Sequence, residues 1–193
     1  MWISATGGLV PASLPYTDNE EANRLLAEDP FALIVGLVLY QQVPIEKAFE
    51  GPQVLKDRLD GTLDAKTVAG TDPEELEVMF KGPPAIHRFP ANMAKRVHAV
   101  AGAIEDDYGG DPTLLWADVA DAEELNKRIQ ALPGFGEYKA RVYMAVLAAN
   151  FDVQPDGFEA LLPTWPNVSD IESAADRDDL KARKKEWKAS QKG

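Results

Sequence analysis

The chain has 193 residues, 45% of them hydrophobic, a formal net charge of −12, no cysteine and two histidines. That composition excludes wholesale disorder, disulfides, thiolate zinc sites, iron–sulfur clusters and cysteine nucleophiles, and leaves too few imidazoles for a histidine-rich metal site. No apolar run approaches the roughly 18 residues of a membrane span, and the N-terminal stretch lacks the basic and long apolar regions of a signal peptide. A cytoplasmic protein without a membrane partner is expected.

In chain order, residues 1–17, with Gly7-Gly8, Pro11 and Pro15, read as an irregular arm. Asp18-Asn19-Glu20-Glu21 opens a helix to about Ala27, with a polar cap and early acids. Phe31 to Gln42 is almost wholly apolar and reads as a helix buried nearly all round, ending in Gln41-Gln42. Pro44 to Phe49 and Pro52 to Leu59 are expected as separate helices, as are Asp64 to Ala69 and Pro73 to Phe80. Gly82-Pro83-Pro84 breaks the chain. Asn92 to Ile104 is amphipathic, with Met93, Val97, Val100 and Ile104 on one stripe. Tyr108 to Pro112 is a turn. Asp121 to Leu132 and Glu137 to Asn150 are helices around Pro133-Gly134-Phe135-Gly136. After an irregular proline-containing stretch, Asp170 to Ala175 and Asp178 to Ser190 close the chain as helices. No segment alternates with period two, so the class is all-α.

Charge is unevenly spread. Residues 81–104 carry Lys81, Arg88, Lys95 and Arg96 with no acid, and residues 181–193 carry six bases against Glu186 alone. An acidic body with two basic segments suits a phosphate-bearing partner better than the net charge does, although a solvated helical face explains the tail equally well.

The most informative string is Leu132-Pro133-Gly134-Phe135-Gly136-Glu137-Tyr138-Lys139-Ala140. A helix stops, turns sharply through two glycines and restarts at once. The glycines allow close approach of a partner, and the free N–H groups of the new helix favour an anion such as phosphate. Carbonyls near Leu132 and Gly134 can face a monovalent cation, sodium or potassium. An ordinary αα-hairpin is the alternative reading.

This string resembles the helix-hairpin-helix signature of the HhH-GPD base-excision DNA glycosylases, Leu-Pro-Gly-hydrophobic-Gly-x-x-x-Ala. The resemblance covers about residues 25–160 and is nearest to the short, cysteine-free bacterial members. It implies a two-lobed all-α fold, with a core over 18–160 and a C-terminal helical extension with a basic tail over 161–193. In that family a catalytic Asp follows the hairpin by a fixed interval, which here reaches Asp156 with no gap. It would stabilise oxocarbenium character and orient the attacking water. Residues 151–156, if extended, span about 20 Å, so Asp156 can return toward the hairpin. Tyr138 holds the place of the Schiff-base Lys of bifunctional relatives and is expected to wall the base pocket.

The resemblance further places Gln42 in the gap left by a flipped nucleotide, with Gln41 as its neighbour. A wedge is expected among Ile86, His87, Arg88 and Phe89. Gly134, Gly136 and Lys139 are expected at phosphate; one helical step of about 100° should turn Lys139 away from the Tyr138 position. Lys95 and Arg96 are further phosphate candidates. The implied activity is monofunctional hydrolysis of an N-glycosidic bond in lesion- or mismatch-containing duplex DNA, by a nucleoid-associated monomer with no required cofactor. A uracil-like pyrimidine (uracil, 5-hydroxymethyluracil or mispaired thymine) is the first target and an alkylated or oxidised purine the second. A non-catalytic hairpin DNA-binding module is the rival.

Overall fold

The computed structural model describes residues 11–191, all helical or irregular, with no strand among them. The expected arm lies outside the described residues up to position 10. From Ser13 to Thr17 it is pinned: Leu14 and Tyr16 are fully buried, and Thr17 and Asn23 exchange backbone and side-chain hydrogen bonds.

Helices α1 (Glu20–Glu28), α2 (Pro30–Leu39) and α3 (Ile45–Arg58) pack together. Asn19 and Asp29 cap the first two by accepting first-turn N–H groups. Every residue of α2 after Pro30 is buried, which its apolar run requires. Helices α4 (Ala65–Gly70), α5 (Pro73–Lys81) and α6 (Pro90–Tyr108) form a second group, joined to the first where α2 meets α6. The α7 (Ala122–Ala131) and α8 (Glu137–Phe151) pair forms the hairpin, and α9 (Ala174–Ser190) follows. No helix of the described residues is long and apolar enough to cross a membrane.

Three boundaries differ from expectation. The two helices expected over 44–59 are one, α3, with Pro52 inside it. Proline there removes one backbone bond, but Gly51 is buried so tightly against Leu39 that an added Cβ would stand 2.4 Å from Leu39 Cδ1; packing overrides the local break. The α6 helix begins at Pro90, because a first-turn proline needs no N–H, and runs on to Gly109 in the left-handed conformation. The two C-terminal helices are also one, α9, started by a capping box between Ser173 and Asp176.

Candidate functional site

The α2 helix ends on a short irregular crossing, residues 40–44, where Gln41 and Gln42 part company. The Gln41 amide donates to the Val38 carbonyl at 2.6 Å, one of the unpaired carbonyls at the helix end. Its side-chain oxygen accepts from Arg96, and its backbone carbonyl accepts from His87 Nε2 at 3.0 Å. The Gln41 side chain and Arg96 are therefore hydrogen-bonded to each other, and both line a surface concavity. Gln42 is exposed, makes no side-chain hydrogen bond, and has φ +57°, a left-handed conformation uncommon for a residue with a Cβ.

His87 is not a wedge. It is buried, its Nδ1 accepts the Phe89 N–H at 3.0 Å, and burial lowers its pKa. With Nδ1 accepting, the proton sits on Nε2, so the ring is a neutral clamp between the 40–44 and 86–89 segments. Ile86 is also buried. Arg88 and Phe89 remain exposed, the guanidinium 4.7 Å from the ring centroid. Phe89 and Gln42 both line a small concavity of about 240 Å³.

At the hairpin, the Leu132 carbonyl accepts the Phe135 N–H at 3.0 Å, and Gly134 turns with φ +81°. That carbonyl keeps a second lone pair, so it fits the monovalent cation that the resemblance implies. Phe135 is buried beside Tyr143. Only Gly134 needs glycine for its conformation. Gly136 has an ordinary φ of −77°, caps α8 without a side chain, and would place a Cβ with nothing within 4 Å. Nothing inside the fold asks for glycine at 136.

The next residues enter a cavity of about 540 Å³. Tyr138, half exposed, stacks on Trp165. Lys139 turns inward, contrary to expectation: its ammonium lies 3.4 Å from the Val38 carbonyl and 5.2 Å from the Phe135 ring centroid. Burial, reinforced by the Arg96 charge, pushes Lys139 down to about 8. Helix α9 supplies the far wall. Lys184 donates to the Tyr40 hydroxyl and lies 4.8 Å above its ring, and burial together with Lys188 brings it to about 8. Trp187 sits beside Trp165, ring centroids 6.5 Å apart.

Thus Gln42, Tyr138 and Lys139 share one cavity, and Gly136 precedes them at the start of α8. Asp156 does not join them. Its carbonyl accepts the Ala122 N–H at 3.0 Å, fixing its backbone at the start of α7. The ten residues of α7 measure about 15 Å, so Asp156 stands at the opposite end of the hairpin pair from Tyr138. Chain reversal explains this: the Val153 N–H bonds back to Leu147 and the Gln154 side chain to Ala148, so the segment folds in place instead of extending.

Lys184, Trp187, Trp165 and Tyr40 line the cavity without being singled out by the sequence. The signal was present in α9, where Arg177, Lys181, Lys184 and Lys188 recur at helical spacing on one face. That face turns onto the body, pairing Arg177 with Asp18 and Lys181 with Glu46 at 3.0 Å. No protein-family model matches the chain, and neither does a curated protein or a solved structure.

Proposed function

We propose that the protein is a two-lobed helix-hairpin-helix DNA glycosylase that binds duplex DNA, takes one extruded base into the cavity, and hydrolyses its N-glycosidic bond. The observation that carries this reading is the adjacency at the start of α8. Gly136 offers an uncapped helix N-terminus open to a phosphate, and Tyr138 and Lys139, within the same turn, line a cavity of base-accommodating size. Gln42, held out at the mouth in a left-handed conformation, is placed to fill a vacated stack.

Hydrolysis calls for a group that activates water at the anomeric carbon. Asp156 serves only if the 152–157 turn moves toward the start of α8 on DNA; left-handed residues Asp152 and Gly157 bound that turn. A second reading, favoured by the separation of Asp156 from Tyr138 and by the absence of any Asp or Glu lining the cavity, is a protein that holds an extruded base without excising it.

One assay separates them: single-turnover incubation with duplexes carrying uracil, 5-hydroxymethyluracil, mispaired thymine, or an alkylated or oxidised purine, followed by hot alkali. Base release that falls at least a hundredfold in Asp156→Asn supports hydrolysis through that carboxylate. Tight lesion binding with no release supports the second reading, and no preference for any duplex overturns both.

A further inference from the structure

We propose that the cavity selects an oxo-substituted base with an imide edge, C=O flanking N–H flanking C=O, and that Lys139 and Lys184 are the residues that read that edge. The inference rests on the reading of this cavity as a base site and names what it accepts.

Flat aromatic rings line the cavity, Tyr138 stacked on Trp165, and Tyr40. A planar ring is the shape that such walls hold. The charged groups that line the cavity are all lysines, Lys139, Lys184 and Lys188. The Lys139 and Lys184 ammoniums reach in from α8 and α9, each over an aromatic ring. The Trp165 indole N–H is buried at the Tyr138 stack. No carboxylate lines the cavity among the described residues; Asp170, the acid whose charge Lys184 feels, is held by Arg183 at 3.2 Å. Each ammonium has one neutral acceptor, the Val38 carbonyl for Lys139 and the Tyr40 hydroxyl for Lys184, while no carboxylate among the described lining residues balances their charge, a costly state for buried groups.

Three ligand classes meet that site differently. An imide edge presents two carbonyl acceptors and can release its ring proton, so it satisfies the donors and neutralises charge. An amidine edge, as in cytosine or adenine, points an exocyclic amino donor at an ammonium. A cationic alkylated base adds a further positive charge to a desolvated site. A uracil ring is thus accepted, and 7-methylguanine and 3-methyladenine are rejected.

The test uses the full-length protein and free bases, so that it does not depend on duplex binding or on catalysis. Tryptophan fluorescence is titrated at pH 7.5 with uracil, 5-fluorouracil, cytosine and 1-methyladenine. The expected result is quenching by uracil, tighter quenching by 5-fluorouracil because its ring N–H is more acidic, and binding at least about tenfold weaker for the other two. Lys184→Met and Lys139→Met, each confirmed folded by circular dichroism, should each narrow that preference about tenfold. Equal or tighter binding of cytosine or 1-methyladenine overturns the proposal, as does an unchanged preference in both variants, or no binding by any base at millimolar concentration. Failure of the duplex assay, with free-base selectivity intact, removes the glycosylase reading and leaves this assignment standing.

Discussion

The Tyr138 ring lies almost parallel to that of Trp165, centroids 4.7 Å apart and planes 13° apart. The pair joins the first turn of α8 to the proline-bounded segment before α9, so the cavity wall is closed by two elements distant in sequence. Stacked pairs contribute about 0.5–1.5 kcal/mol. Trp165→Ala should therefore lower stability by about 1 kcal/mol and weaken uptake of an extruded base by roughly tenfold, since base stacking contributes about 1–3 kcal/mol. Urea unfolding and 2-aminopurine fluorescence in a duplex give the two readouts. Unaltered base uptake would place the base elsewhere.

Gly136 separates binding from folding. Serine fits its backbone, its Cβ meets nothing, and its hydroxyl can cap α8, so Gly136→Ser should keep or raise stability by a few tenths of a kcal/mol. The same atoms occupy the space a phosphate would enter. Duplex affinity should fall alike for lesion and undamaged DNA, and the slope of log affinity against log salt should flatten by about 1. Parental affinity and slope in this variant would make the hairpin purely structural.

Gln42 stores backbone strain at an exposed position. Glycine relieves a left-handed conformation that costs other residues on the order of 1 kcal/mol. Gln42→Gly is expected to unfold at equal or higher urea concentration than the parent, while the 2-aminopurine signal of an extruded base drops. A variant that is less stable and extrudes normally would contradict a role for Gln42 in the stack.

How far the sequence carried depends on the distance over which each feature is decided. Helix starts at Asn19, Asp29, Asp72 and Asp121 were legible because a cap is set by a side chain two or three residues from the N–H that it accepts. The continuity of α3 through Pro52 was not, because it is settled by Leu39 on another helix. The same contrast divides the site. The glycine turn and Tyr138 come from one contiguous string. The inward turn of Lys139 depends on the end of α2, and the far wall depends on α9 folding back onto Tyr40. Asp156 was placed by counting residues, and a count cannot register the local bonds that hold 151–156 at the far end of α8.

The lysine in the cavity makes stability rise with pH. Lys139 falls from 10.5 to about 8 on folding. Below pH 8 both folded and unfolded chains carry the proton, and the cost of burying it is fully present. Between about 8 and 10.5 the unfolded chain keeps a proton that the folded chain has released, so folding becomes more favourable. Urea unfolding of the parent and of Lys139→Met at pH 7 and pH 10 should show the parent gaining on the order of 1 kcal/mol relative to the variant, after solvent screening. A difference of zero, or of the opposite sign, would mean that Lys139 is solvated.

Lys139 also decides how the imine route is tested. In the proposed glycosylase register Tyr138 takes the place of a lyase lysine, and its phenol cannot form an imine, but an amine stands one residue on and faces the same cavity. With its pKa at about 8, only about a tenth of it is neutral at pH 7. Its ammonium is turned to the Val38 carbonyl and the Phe135 ring. Hydrolysis is therefore expected to leave the abasic strand intact, with no borohydride-trapped protein–DNA adduct at pH 7. If an adduct forms, grows toward pH 9 and disappears in Lys139→Ala, the amine attacks the anomeric carbon and the enzyme is bifunctional. If it persists in Lys139→Ala, Lys184 and Lys188 are the other amines that line the cavity, and Lys184→Met and Lys188→Met tell them apart.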